Sequence, residues 1–307
     1  MVYLHEDREQ FKEAVDIAAY QYGIMAQAIE KDYYVTMILR LLSQEMPFIV
    51  FKGGTSLSKC HNVIKRFSED IDISIDTSIS QEQKKKLKQA IVSIADELGM
   101  KITNLEDTRS RRDYNRYVIA YNSVLPLLNE TLQPAVLMET SFTSVSFPTI
   151  QLPVNNYIGR MMESEAPEAI TDFHLNPFVM KVQGLDRTLA DKVFALCDYY
   201  LQEKVQKHSR HLYDIYKLLP LVPQQAEFKI LVEEIRSVRK QSNICPSAQD
   251  DVNVPQLLND IIQQEVYRQD YQNVTDNLLE EKVDYDMAVQ ALKQIAQNGM
   301  FDKKQVS

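Results

Sequence analysis

Long apolar stretches and cysteine are both scarce in this chain of 307 residues. No window holds the run of about 18 apolar residues that a membrane-spanning helix needs. The start, Met1 to Asp7, lacks the basic and apolar regions of a secretory signal. Its cysteines (Cys60, Cys197 and Cys245) are odd in number and far apart, which argues against a disulfide framework. We therefore expect a cytoplasmic protein with no membrane partner.

Basic residues are fewer than acidic ones, since the chain has 34 basic and 43 acidic residues and a net charge of -9. Since nucleic-acid affinity is built from many phosphate contacts, this balance argues against binding over the whole surface. A local basic patch stays possible where Tyr114 and Tyr117 stand among four arginines (Arg109, Arg111, Arg112 and Arg116). Arginine with aromatic neighbours suits phosphate contact and base stacking. A solvated connection between strands explains the pattern equally well, and both interpretations stay open.

Residues 70 to 76 alternate between isoleucine and polar side chains. The isoleucines fall on one face of the predicted strand, whereas Asp70 and Asp72 fall on the other. Two residues along a strand span about 6.6 Å, so both carboxylates converge on one side. Hard oxygen ligands at this spacing suit Mg²⁺. A half-buried strand with a wet polar face is the alternative.

A glycine pair stands upstream of these carboxylates. Residues 48 to 51 are apolar and predict a buried strand that ends at Gly53 and Gly54, where a backbone without Cβ atoms turns sharply and approaches a ligand closely. We expect Thr55 to cap a helix from 56 to 65, whose first N–H groups favour phosphate. An anion site and a cation site would then lie at the ends of neighbouring strands.

These two motifs resemble the AbiEii/AbiGii toxin nucleotidyltransferases, which are relatives of the DNA polymerase β superfamily. Residues 53–59 read Gly-Gly-Thr-Ser-Leu-Ser-Lys and residues 66–72 read Arg-Phe-Ser-Glu-Asp-Ile-Asp, close to the family's G-G-T-x-L-x-K and R-F-S-E-D-I-D. The resemblance implies Mg²⁺-dependent nucleotidyl transfer from an NTP by a toxin of a toxin-antitoxin or phage-defence system. It also implies an RNA acceptor, in particular the 3′ end of tRNA, and a cognate antitoxin protein as partners.

The resemblance also implies roles for individual residues. We predict Asp70, Asp72 and Glu139 as metal ligands, with Glu139 the single acid in the apolar strand 135 to 142. An edge-strand glutamate that points to water is the alternative for Glu139. The predicted nucleotide-binding residues are Lys52, Gly53, Gly54, Thr55, Arg66 and Lys192. The predicted catalytic residues are Asp70, Asp72, Lys192 and Asp214.

Lys192 and Asp214 belong to a second, helical pair of motifs. Lys192 lies beside the apolar stripe of a helix from 186 to 203, and a solvated lysine is the alternative to a triphosphate contact. Asp214 matches the second acid of the family's R-D-x-x-D motif, but His211 replaces the first. His208 and His211 have helical spacing without a third metal ligand, so we expect a surface or packing pair rather than a zinc site.

The order of patterns predicts an α+β fold, a nucleotidyltransferase-like mixed sheet with flanking helices followed by a helical C-terminal lobe. Predicted strands lie near 47–51, 70–76, 101–105, 116–121 and 135–143, and strand patterns vanish after about 175. We place a nucleotidyltransferase lobe at 1–155 and a helical lobe at 156–307, with the nucleotide in a cleft between them. The tail after Pro220 carries no assigned motif.

Two other functions remain open at this level. The same metal site could serve nucleotidyl transfer to a protein or to a small molecule, which the acidic composition favours slightly. The fold could instead bind a nucleotide without turnover, an interpretation that rests only on His211. The clustered acids Asp70, Asp72 and Glu139 weigh against a pure binder, which has little need of them.

Overall fold

The computed structural model describes residues 2–126 and 133–303, and within them the chain forms two compact units. Unit 1 takes the chain up to His61 and again from Ser68 to Val182. Unit 2 takes Asn62–Phe67 and the chain from Gln183 onward. The division at 182 differs from the expected one at 155, because a strand beyond that point joins the sheet of unit 1.

Unit 1 is built from helices and a seven-stranded sheet. Its elements are α1 (Arg8–Tyr22), α2 (Ala26–Glu45), β1 (Ile49–Lys52), α3 (Gly53–Lys59), β2 (Ile71–Ile75), α4 (Gln81–Glu97), β3 (Lys101–Ile102), β4 (Tyr114–Ala120), β5 (Ala135–Val145), β6 (Thr149–Val154), α5 (Tyr157–Glu165), α6 (Pro167–Asp172) and β7 (Phe178–Gln183). The sequence patterns missed β6 and β7. The prediction that strand patterns vanish after 175 is therefore wrong for β7.

The sheet is mixed, with the strand order β3-β4-β5-β2-β1-β7-β6. Strand β2 runs antiparallel to β1 and parallel to β5, while β4 runs antiparallel to β5. On one face the isoleucines of β2 are buried, as their alternation predicted, and Ile71 and Ile73 are fully inaccessible. They belong to the same apolar core as the buried residues of α2 and α4. The opposite face of β2 carries Asp72, which is partly exposed, and Ser74, which is buried.

Unit 2 is helical within its described residues, apart from the end of β7 and one isolated bridge between Arg66 and Leu279. Its helices are α7 (Leu185–Leu201), α8 (Arg210–Leu218), α9 (Ala226–Arg239), α10 (Val254–Gln263), α11 (Arg268–Asp270) and α12 (Tyr285–Gln297), with a π-helical turn at Tyr271–Thr275 and 3₁₀ turns at Leu219–Leu221, Pro246–Ala248 and Asp276–Leu278. Side-chain caps at Asn253 and Asp284 start α10 and α12.

The predicted α+β class is confirmed by the mixed sheet of unit 1 and the helices of both units. One local prediction is wrong, because α3 begins at Gly53 with Lys52 as its N-cap, and Thr55 lies inside the helix. Along the described ranges 2–126 and 133–303, no helix has the length and apolarity to cross a membrane.

We predict that Ile73→Ala destabilises unit 1 by about 2–5 kcal/mol, because it removes a fully buried side chain from the core and leaves a cavity. Urea denaturation followed by circular dichroism measures the loss. Ile150→Ala on β6 is the matched control, since Ile150 is 43% exposed and its truncation opens no buried cavity. Equal destabilisation by the two variants would contradict the assignment of Ile73 to the core.

Candidate active site

Four charged residues lie in one row across neighbouring strands of unit 1. Lys52 of β1 is the register partner of Asp72 on β2. Asp72 is the partner of Glu139 on β5, and Glu139 is the partner of Arg116 on β4. Directly paired residues share a face of the sheet, so two adjacent carboxylates stand between a lysine and an arginine. We call Lys52, Asp72, Glu139 and Arg116 the charged row.

Gly53, the residue after β1, lies directly against a carboxylate of the charged row. Gly53 has φ +79°, in the region that favours glycine. A Cβ atom at this position would lie 1.9 Å from Oδ2 of Asp72. Any other residue would therefore push the carboxylate of Asp72 away. The structure thus brings the glycine turn and the D-x-D strand into direct contact.

Two side chains of the neighbouring strand β4 lie beside Glu139. The Nε atom of Arg116 lies 3.9 Å from Oε1 of Glu139, and Tyr114 lies two residues before Arg116 on the same face of β4. Burial, followed by the charge of Glu139, raises the pKa of the Tyr114 hydroxyl. The side chain of Glu139 is 37% exposed, which leaves it open to further ligands.

Asp70 stands just before β2, two residues from Asp72. Its Oδ1 atom is buried and has no hydrogen-bond partner. A buried carboxylate oxygen without a donor is costly, and a cation with hard-ligand preferences would satisfy it. Asp70, Asp72 and Glu139 supply the oxygen donors that Mg²⁺ prefers, so the residues fit this ion.

The metal site itself remains a prediction. Among the described residues, no three histidine, cysteine or acidic side chains stand close enough together to hold a metal ion as they are placed. Asp72 and Glu139 are neighbours across two strands, whereas Asp70 reaches the group from the chain segment before β2. Coordination by all three would require side-chain adjustment.

Two charged residues of helix α2 form ion pairs with the two motifs of unit 1. The sequence analysis did not identify these residues. Lys31 donates to Oε2 of Glu69 at 2.6 Å, next to Asp70 in the chain. Asp32 accepts from Lys59 at 2.5 Å, at the end of α3. The sequence did contain a signal for these ion pairs, namely three consecutive charged residues (Glu30, Lys31 and Asp32) inside a largely apolar helix. Buried charges are normally paired, so such a run predicts partners elsewhere in the fold.

The other residues of the first motif make contacts inside unit 1. The hydroxyl of Thr55 lies 3.0 Å from that of Ser68. This contact ties the start of α3 to the segment that leads into Asp70. Lys59 also donates to the hydroxyl of Thr36 and to the carbonyl of Asn155, so it is buried and fully engaged.

The remaining predicted residues meet in unit 2. Asp214 is fully buried and accepts two hydrogen bonds of 2.7 Å from Arg66 and one of 2.6 Å from Lys192. Burial alone would raise the pKa of Asp214, but the two cations outweigh burial and hold this pKa well below its usual range. Burial lowers the pKa of Lys192. The structure therefore brings Arg66, Lys192 and Asp214 together, with Asp214 as the common acceptor.

His211 lies in the first turn of α8 and His208 lies just before this helix, and both rings stack on Tyr199. The ring centroids of Tyr199 and His208 are 3.5 Å apart. Burial, followed by the charges of Lys192 and Arg210, lowers the pKa of His211 well below its usual value. His211 is thus neutral at pH 7 and takes the place of an acid without supplying a charge.

Three of the four arginines of the candidate basic patch differ in their contacts. Arg109 and Arg112 donate to backbone carbonyls of the turn before them, at Thr108 and Asp107, and so hold this turn together. Arg116 instead lies on β4 beside Glu139. Of the two tyrosines, Tyr117 is buried and Tyr114 is 48% exposed, so only Tyr114 offers a ring to a ligand.

An α+β unit whose sheet carries neighbouring carboxylates beside a glycine turn is typical of nucleotidyltransferases. A family model described as "Nucleotidyl transferase AbiEii toxin, Type IV TA system" matches residues 38–298. The chain therefore belongs to the AbiEii family of nucleotidyltransferase toxins from type IV toxin-antitoxin systems, which confirms the resemblance inferred from its motifs. No curated protein sequence matches the chain significantly.

We predict that Asp214→Asn destabilises unit 2 by about 3–5 kcal/mol at pH 7, because it leaves two buried cations without their counter-charge. The folded-state pKa of Asp214 lies below its ordinary value of 3.8, so the stabilisation is present above that pH and is lost as the pH falls further. Urea denaturation at pH 7 and at pH 3 measures both effects.

The matched control for this prediction is Asp286→Asn, which removes an exposed partner of Arg268. We expect little change from it, because exposed ion pairs contribute little. If Asp214→Asn were as stable as the wild type, or lost as much stability on acidification, the role of Asp214 as the central acceptor of unit 2 would be excluded.

Proposed function

We propose that this chain is a Mg²⁺-dependent nucleotidyltransferase that transfers NMP from an NTP to the 3′ hydroxyl of an RNA, with tRNA as the acceptor. It acts in the cytoplasm as the toxin of a toxin-antitoxin or phage-defence system, and a cognate antitoxin protein counters it. The observation that supports this most is the charged row, in which Asp72 and Glu139 are register partners beside the Gly53 turn. Family membership supports the reaction class.

Asp70, Asp72 and Glu139 would hold the metal, on the evidence of their oxygen donors and of the unpartnered Oδ1 of Asp70. Bound Mg²⁺ supplies neutralisation of negative charge on the phosphate oxygens. Lys52 and the backbone at Gly53 and Gly54 would bind those oxygens, and the proposal is supported by a turn that follows β1 directly and whose glycines carry no side chains that would block a phosphate.

The proposal also gives roles to four further residues, which are Thr55, Arg66, Lys192 and Asp214. Thr55 would bind phosphate through its hydroxyl, which already contacts Ser68. Arg66 and Lys192 would neutralise charge on the leaving pyrophosphate, and Asp214 would orient both cations through its hydrogen bonds. Family membership and the buried ion pairs within unit 2 support these roles.

The proposed reaction is an in-line displacement at the α-phosphorus. The acceptor hydroxyl oxygen forms a bond to the α-phosphorus, and the bond from this phosphorus to the oxygen that bridges to the β-phosphate breaks. Pyrophosphate leaves with the electron pair of that bond, and the hydroxyl proton passes to solvent. The protein's part is to bind both substrates in line and to offset the charge that collects on the leaving group.

We predict that purified protein with Mg²⁺ incorporates one of the α-labelled NTPs into total tRNA, and that Asp72→Asn lowers the rate by about a thousandfold or more, since metal binding contributes several kcal/mol. Asp76→Asn is the control, because it removes an acid just beyond the other end of β2 that pairs with Lys181. We expect Asp76→Asn to retain activity.

The labelling assay, together with thermal denaturation and a pyrophosphate-release measurement, separates the alternatives. Label on protein or on a small molecule, with none on RNA, would move the acceptor to that class. NTP binding with Mg²⁺, seen as thermal stabilisation without pyrophosphate release, would indicate a silent nucleotide-binding module. Equal rates for wild type and Asp72→Asn would contradict the proposed metal site.

We predict that Gly53→Ala lowers the transfer rate by at least about a hundredfold, because the new Cβ displaces the Asp72 carboxylate. Gly99→Ala is a matched control, since Gly99 also has a positive φ, +63°, but nothing lies within 4 Å of its added Cβ. Both variants should melt at a lower temperature, but only Gly53→Ala should lose activity. Comparable activity in the two would mean that the close approach at Asp72 is unimportant.

A further inference from the structure

The proposed function gives no role to Arg116, which ends the charged row on β4, or to Tyr114, which lies two residues before it on the same strand. Lys52 and the glycine turn mark one end of the row, and Arg116 marks the other. Neighbouring strands are about 4.8 Å apart, so the row spans about 14 Å from β1 to β4. The two carboxylates, Asp72 and Glu139, occupy the middle.

In-line displacement requires the acceptor hydroxyl to approach the α-phosphorus from the side opposite to the leaving pyrophosphate. The attacking and leaving oxygens lie roughly opposite each other across the α-phosphorus. If the triphosphate is bound by the Gly53 turn on the β1 side of the carboxylates, the acceptor hydroxyl arrives from the β5 and β4 side. That side is where Arg116 and Tyr114 project from the sheet.

Both side chains are accessible on the face that carries Glu139. Along β4 they alternate with the buried residues Asn115 and Tyr117. The side chain of Arg116 is 53% exposed, and its nearest contact with Glu139 is a long one of 3.9 Å. An exposed ion pair of this length contributes little, so the guanidinium can exchange it for a phosphate.

The chemistry of this pair fits a nucleic-acid strand better than a protein. Arginine forms bidentate contacts with phosphate, and a half-exposed tyrosine ring is a surface on which a base can stack. Residues 109–116 contain four arginines and a single acid, Asp113, in a chain of net charge -9. Local positive charge in an acidic protein favours a polyanion at this position.

We propose that Arg116 and Tyr114 form the acceptor subsite, in which Arg116 binds a backbone phosphate of a single-stranded RNA 3′ end and Tyr114 stacks on one of its bases. The proposal rests on the proposed function, because it takes the position of the NTP from it.

The test is the binding of a short fluorescent single-stranded RNA with a free 3′ hydroxyl, measured by anisotropy over a range of salt concentrations. We expect Arg116→Gln to weaken binding about tenfold and to lower the salt dependence by about one phosphate contact. Tyr114→Leu should weaken binding about tenfold, whereas Tyr114→Phe, which keeps the ring, should stay within about twofold of the wild type. NTP affinity should be unchanged in Arg116→Gln and Tyr114→Leu.

The matched control is Arg160→Gln on α5, where another arginine lies over a tyrosine, 5.8 Å from the ring centroid of Tyr157. We expect this variant to bind RNA like the wild type. In steady-state transfer, Arg116→Gln should raise KM for RNA and leave KM for the NTP unchanged, which a general loss of stability would not produce.

Two negative results have separate meanings. RNA binding of Arg116→Gln and Tyr114→Leu within twofold of the wild type, while the wild type labels RNA, would overturn the subsite and leave the proposed function standing. A wild type that binds NTP but neither binds nor labels RNA, or that labels a protein instead, would overturn the RNA acceptor and the subsite together.

Discussion

The register of four neighbouring strands is the constraint on which the candidate active site depends. Backbone hydrogen bonds between β1, β2, β5 and β4 fix which side chains stand opposite each other. They place Asp72 beside Glu139, although like charges at directly paired positions repel. Lys52 and Arg116 at the two ends of the charged row offset part of that repulsion. If the proposed function is correct, the same register would also give the two carboxylates a phosphate side at β1 and an acceptor side at β4.

Asp214 is the corresponding centre of unit 2, where a single buried carboxylate holds Arg66 and Lys192. A buried acid with two cations is stable only when all its partners are present, so these residues constrain one another. The motif at 66–72 is divided between the units, since Arg66 and Phe67 belong to unit 2 and the rest to unit 1.

Several elements were predictable because their signals are local. The alternation at 70–76 predicted the buried face of β2, and helix α7 begins one residue from its predicted start at 186. The cap at Thr55 was wrong, because the positive φ of Gly53 allows the helix to begin one residue after β1. Strands β6 and β7 were missed, since their sheet positions come from distant pairing, such as Phe51 with Val182.

The sequence by itself determined the family, the D-x-D strand, the glycine turn and the helical character of unit 2, because each depends on residues a few positions apart in the chain. Only the tertiary structure decided that Asp72 is paired with Glu139 and that Glu139 is paired with Arg116. It also decided that Lys31 and Asp32 form ion pairs with the two motifs. Residues distant in the chain meet in each of these contacts. Strand register and burial select such partners, and neither is encoded in a short stretch of sequence.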